Sequence, residues 1–290
     1  MTGTYSSPQT VNITDATSGS SIFYTLDGSQ PTTASTKYTG GFTVSTTTTV
    51  KAIATAPNFT QSNTATSVIT IQTGGGSTSI NFASGFTTAG LQFNGRTKLD
   101  GTRLELTDGG ATEASSAWFT TPVNVQSFTT DFALQLTNPN ADGMTFAIQN
   151  AGITALGSSG GGLGYASSTC GSTSGILTSV AVKFDLFQNC QEGNNSTGLY
   201  TNGASPTVPA VTLGGGVNLH SGDIFQVHMT YNGTTLTMTI TDTVTNATFT
   251  TSWTINIPAT VGGNTAFVGF TGGTGGQTAK QEIINWTYGS

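Results

Sequence analysis

Period two dominates this chain. Runs such as SVAVKFDLF, TLTMTITDT and DIFQVHMTYN alternate side chains between two faces, and no window of ten or more residues sustains the apolar period of a helix. β-Branched residues are frequent in these runs, and strong helix formers are scarce. An all-β protein is therefore expected, with function carried by loops at sheet ends.

The turn signals divide the strands into two sets. Before Ile71 come SIFYTLDG, GGFTVST, TTVKAIATA and ATSVITIQ, separated at Asp27-Gly28, Gly40-Gly41 and Pro57-Asn58. Some 70 residues of short strands suit a small β-sandwich. The stretch IQTGGGSTS then reads as a flexible linker. After it come longer strands, from TRLELTD to the closing QEIINWTY, over about 210 residues, which suits a larger jelly-roll sandwich. The expected boundaries are residues 1–72, a linker over 73–79, and residues 80–290.

Charge and chemistry narrow the function. Only 7% of the 290 residues are charged, and the seven basic residues are scattered under a net charge of -6, so no basic stripe exists for nucleic acid. No apolar run reaches eighteen residues, so no membrane-spanning helix is expected. The first ten residues, MTGTYSSPQT, lack the basic and apolar parts of a signal peptide and are read as the start of a mature segment. The composition favours a secreted protein. Cys170 and Cys190 are compatible with one disulfide in an oxidising compartment, worth roughly 3 kcal/mol for a loop of this length; two buried thiols are the alternative.

Enzymes fare poorly. Triads and zinc sites need histidine, and only His220, in a turn, and His228, on a strand, are present. Glycoside hydrolysis needs two carboxylates at a controlled separation. Each glutamate (Glu105, Glu113, Glu192 and Glu282) is isolated in sequence from a second acid at strand spacing. Trp118, Trp253 and Trp286 lie in apolar strand patterns and read as core.

Two family resemblances follow. The first region, with Tyr24-Thr25-Leu26-Asp27-Gly28, Pro31, Tyr38 and Thr49-Val50-Lys51-Ala52, resembles the immunoglobulin-like C-terminal module of chitobiases and β-hexosaminidases over residues 5–72. That resemblance implies an accessory spacer with no catalytic residue. In the second region the ordered motifs are Ala141-Asp142-Gly143, Gly161-Gly162-Leu163-Gly164, Val180-Ala181-Val182-Lys183-Phe184-Asp185, and Gly269-Phe270 through Thr274-Gly275. With the closing strand around Trp286, they resemble the legume-type lectins and their concanavalin A-like jelly roll over about residues 80–288.

The lectin resemblance implies a non-catalytic, extracellular or surface carbohydrate-binding protein whose partner is a glycan or polysaccharide. On the family pattern Asp142 accepts hydrogen bonds from two sugar hydroxyls, and the Ala141–Asp142 peptide bond before it is cis. Gly161 offers its N–H, Asn189 its amide and Phe187 a stacking ring, while Gly276 and Gln277 fall in the variable specificity loop. Calcium would take Asp185, the Phe187 carbonyl, Asn189 and Glu192, all hard oxygen donors. The neighbouring transition-metal site expects a glutamate at Lys183 and a histidine at Ser196 or its neighbour. A divalent ion about 7 Å from the lysine ammonium would be repelled by roughly 5 kcal/mol at an effective dielectric near 20. No transition metal is expected there, and Lys183 should pair with Asp185 or Glu192. The alternative function is a structural subunit of an extracellular fibre, surface layer or adhesin stalk, assembled through exposed strands or the run MTGTYSSPQTVNIT.

Overall fold

The computed structural model describes residues 2–5, 8–71 and 79–290, which form two compact units. Most of the expected linker, 73–78, lies outside the described residues.

The first unit contains β1 (Gly3–Tyr5), β2 (Gln9–Val11), β3 (Ser21–Thr25), β4 (Thr36–Lys37), β5 (Phe42–Val44), β6 (Thr48–Thr55) and β7 (Ala65–Ile71). A five-stranded sheet in the order β1-β7-β6-β3-β4 is covered by the two-stranded sheet β2-β5. Alternation decides the core: Val11, Val44, Val50, Ile69 and Ile71 turn inward and pack together, with Phe42 against them. The N-terminal run, expected to be available to a neighbouring subunit, is used inside its own module. Gly3–Tyr5 pairs in parallel with β7, and Gln9–Val11 pairs antiparallel with β5.

The second unit contains β8 (Ile80–Phe82), β9 (Leu91–Gly95), β10 (Lys98–Asp100), β11 (Arg103–Asp108), β12 (Ala114–Phe119), β13 (Val123–Asn124), β14 (Phe128–Thr137) and β15 (Gly143–Gln149). It continues with β16 (Ser179–Asp185), β17 (Ser196–Thr201), β18 (Val211–Thr212), β19 (Ile224–Tyr231), β20 (Thr235–Asp242), β21 (Thr248–Thr254), β22 (Thr265–Gly273) and β23 (Lys280–Gly289). The back sheet runs β10-β11-β23-β14-β19-β20-β21, and the front sheet runs β18-β17-β16-β15-β22-β12-β9. One large apolar core lies between them. Its centre is aromatic: Phe132 of β14 meets Phe146, Phe184 and Phe270 of the front sheet at ring distances of 5.8, 5.9 and 5.0 Å. Trp118 and Trp286 are fully buried, as the sequence suggests, whereas Trp253 on the edge strand β21 is only half-buried against the core.

The front sheet is buried on both faces, which alternation alone does not reveal. β15 and β16 expose no residue. Their outer face carries Ala147 and Ala181, and Trp118, Tyr165, Ala166, Ile176 and Tyr200 close over it as a second, smaller core. The second face of β16, with Ala181, Lys183 and Asp185, therefore points into protein rather than water.

The acids isolated in sequence are not isolated in space. Carboxylate oxygens of Asp100, Glu105 and Glu282 converge within 4.8 Å on the back sheet. Lys280 already sits among them, its Nζ at 2.6 Å from Asp100, 3.2 Å from Glu105 and 3.0 Å from Glu282. Lys98 and Arg103 pair with the far oxygens of Glu105 and Glu282. The cluster is thus an ion-pair network already filled by protein cations. Lys280→Met would leave two buried glutamates facing each other and should cost about 2 kcal/mol, discounted for the partial exposure of the lysine. A melting curve checks this: roughly 4–8 °C should be lost for a unit of this size.

Candidate functional site

Three adjacent front-sheet strands deliver the loop residues to one edge. Gly143 at the start of β15 pairs with Asp185 at the end of β16 and with Gly273 at the end of β22. Asp142, the loop after Asp185 and the loop after Gly273 are therefore neighbours by register. Backbone bonds then lace them together. Asp142 N–H donates to Gly273 O (3.2 Å), Leu186 N–H to Asp142 O (2.8 Å), and Gly160 N–H to Thr274 O (2.9 Å). The Thr274 hydroxyl donates to Gly110 O (2.7 Å) and accepts from the Glu113 N–H (3.0 Å), bracing the last loop from below.

Asp142 is the buried centre of this edge, and its peptide bond with Ala141 is cis. One carboxylate oxygen faces the Asn189 amide at 3.4 Å, while Oδ2 is buried without a hydrogen-bond partner. Burial pushes this carboxyl above the usual range; the Asn189 amide and the nearby Gly275 N–H, which is not in bonding geometry, pull the other way. A desolvated acceptor with a free oxygen is prepared for a donor from outside.

Glycines make the approach possible. Gly160–Gly162 is a single 3-10 turn rather than an open loop. A Cβ on Gly161 would lie 2.6 Å from Asn189 Cγ, so only glycine lets the turn reach that amide. A Cβ on Gly275 would lie 3.1 Å from Asp142 Oδ2. Gly160, which the sequence motifs do not include, and Gly275, which closes the last of those motifs without an assigned role, are thus the residues that flank the free oxygen. Gly276 and Gln277 stand further out, and both are exposed. Phe187 presents its ring to solvent at 39% exposure, beside exposed Asn189. The structure therefore brings Asp142, Gly161 and Asn189 into contact, with Phe187 two residues from Asn189. Gly276 and Gln277 lie on the loop after Gly275.

The loop that carries Phe187 and Asn189 is pinned at both ends. Cys190 is disulfide-bonded to Cys170, with a Cα–Cα distance of 6.0 Å. Glu192 is buried and accepts the Asn189 N–H at 2.8 Å and the Cys190 N–H. Asp185 accepts the Phe187 N–H at 3.2 Å. Of the two acids offered to Lys183, the lysine takes Asp185 (2.6 Å). Burial pushes the Asp185 carboxyl up to about 7 in spite of that ammonium.

The histidines lie elsewhere. His228 pairs with Asp131 at 2.6 Å on the outer face of the back sheet, and the His220 ring is bonded to Asn194 O. Neither approaches Asp142.

A legume lectin domain model matches residues 77–290. This chain belongs to the legume lectin family. A chitobiase/β-hexosaminidase C-terminal domain model matches residues 1–80, over the small sandwich. Among solved structures, a Lotus tetragonolobus seed lectin is similar at 25% identity and a TM-score of 0.63, over 73% of this chain and 97% of that one. A Bauhinia forficata lectin, solved with GalNAc, is similar at 23% identity and a TM-score of 0.63, over 74% and 98%. Lectin I-B4 of Griffonia simplicifolia, in a metal-free form, is similar at 21% identity and a TM-score of 0.63, over 73% and 98%.

Legume lectins typically bind calcium and manganese, and the residues of this lectin domain treat the two places differently. The residues that the resemblance gives to calcium, Asp185, the Phe187 carbonyl, Asn189 and Glu192, offer oxygen atoms, and Asp185 and Glu192 already accept loop N–H groups. Glu192 is near enough to push both Asp142 and Asp185 up. Three buried carboxylates set against the single ammonium of Lys183 leave two negative charges when ionised, the charge of one calcium ion. Oxygen donors and that charge are the chemistry calcium takes. The second place does not fit a transition metal. Lys183, Asp185 and Ser196 share it, and the lysine ammonium already contacts the acid.

Proposed function

We propose that this lectin domain is a secreted, non-catalytic carbohydrate-binding module. Asp142 accepts two vicinal sugar hydroxyls, Gly161 and Asn189 donate to one of them, Phe187 stacks on the apolar sugar face, and the Gly276–Gln277 loop sets selectivity. The observation that carries this reading is Asp142: buried, one oxygen held by Asn189, the other without a partner at a rim walled by glycines. The small sandwich acts as a spacer that displays it. Each site is shallow, so strong retention on cells or polysaccharide would come from multivalent display.

A glycan array of the full chain, run beside Asp142→Ala, tests the function. Hits that vanish in the variant support it; an array blank for both proteins sinks it.

Calcium sits in this reading as an ion held by Asp185, Phe187, Asn189 and Glu192, fixing the loop that carries the platform ring. Calcium at a hundredfold above its Kd should raise the melting temperature by roughly 5–10 °C, reversed by chelation. An unchanged melting temperature would remove calcium from the account.

A further inference from the structure

Lys183 is fully buried in the middle of β16, opposite Thr145 of β15 and Gly198 of β17. Its ammonium has three N–H donors, and each has an acceptor: Asp185 Oδ2 at 2.6 Å, Pro206 O at 2.9 Å and Thr207 O at 3.1 Å. The ring of Tyr200 lies 5.5 Å from Nζ, and its hydroxyl donates to Thr207 O and Pro209 O. Next to this pocket the buried hydroxyl of Ser196, directly across the strand pair from Asp185, has no hydrogen-bond partner. One cation thus gathers an anionic oxygen from β16 and two carbonyls from the 206–207 segment. Asp185, fixed by that cation, in turn holds the Phe187 N–H. The order runs from carbonyl oxygens to ammonium, to carboxylate, to the Phe187 N–H of the sugar loop. A divalent ion in a closed oxygen cage would organise a loop in the same way.

We infer that Lys183 is a positioning residue that serves as the permanent, chain-encoded cation of the binding loop, so that loop order and ligand binding are independent of any transition metal. This deepens the proposed function, on which its glycan arm rests, by naming how that site is regulated: calcium can act on it, manganese and zinc cannot. The lysine is part of the chain, whereas a bound metal is lost to chelators.

The full chain is stripped with a chelator, dialysed into calcium, and examined by elemental analysis and thermal melting with and without manganese or zinc. The expected result is no stoichiometric transition metal in the native protein and a melting temperature unmoved by either ion. One equivalent of manganese or zinc, or a melting temperature restored by those ions and not by calcium, overturns the inference. The double variant Lys183→Glu/Ser196→His supplies an acid and an imidazole on the face of Asp185, and should bind one transition-metal ion and melt higher with it. Failure of that variant to take up metal while folded would mean that the pocket is not a cation site at all. A variant that does not fold leaves the measurements on the native protein to decide. Glycan titration separates the two readings. Sugar binding that needs manganese keeps the function and refutes the role of Lys183. A chain that binds no sugar yet is indifferent to manganese and zinc refutes the function and keeps the cation.

Discussion

Asp142→Ala should lose at least a hundredfold in glycan affinity while folding as well as the parent. A carboxylate that accepts two hydroxyl protons in a desolvated rim loses two charge-assisted hydrogen bonds, each worth about 1.5–3 kcal/mol. Together these are on the order of 10² to 10⁴ in Kd, enough to take a shallow site below detection. Stability should change little, because Asp142 Oδ2 is buried without a partner and the carboxyl is already pushed up by burial. Removing a desolvated charge offsets the lost contact with Asn189. Asp142→Asn isolates the charge, since it keeps the shape and one acceptor, and should fall between the two. Isothermal titration with a sugar from the array measures all three proteins. An alanine variant that binds like the parent would move the site away from Asp142.

The largest loss of stability is expected at Phe132→Ala. This ring joins the two sheets, touching Phe146, Phe184 and Phe270 while fully buried. No side chain nearby can fill the void without leaving its own contacts, because the front sheet is packed on its other face as well. A loss of about 3–5 kcal/mol follows from burial and cavity together. Over a unit of this size the melting temperature should fall by roughly 6–20 °C. The loop edge lies at the ends of the same strands, so sugar affinity should hold at temperatures where the variant is folded. A drop in affinity without a drop in melting temperature would show that the ring shapes the site rather than the core.

Much of the fold can be read in the chain, and so can the order of its site. Period-two runs interrupted by glycine and asparagine turns determine strands, because a pleated chain sends alternate side chains to opposite faces. The ordered motifs around Asp142, Gly161, Asp185 and Gly275 identify the family, since each supplies a backbone or side-chain feature that few other residues can replace. Gly161 is an example: the side chain it lacks would overlap Asn189. The disulfide was legible only as a possibility, because two cysteines 20 residues apart say nothing of whether their Cβ vectors meet.

Burial across the sheet was not legible. Nothing in AVKFD says that the face bearing Lys183 is sealed, because the residues that close over it, Trp118, Tyr165, Ile176 and Tyr200, and the Pro206 and Thr207 carbonyls that meet its ammonium, come from other strands and loops. The same holds for Glu105 and Glu282, far apart in sequence and directly paired across β11 and β23. The sequence by itself determined the strands, the two units and the residues that can meet at the loop edge, since those depend on local alternation and turn chemistry. Tertiary structure alone decided which charges are buried, which cation each acid meets and which carboxylate oxygen is left free. Those outcomes depend on distances between segments that only packing brings together, and on how completely packing excludes water from them.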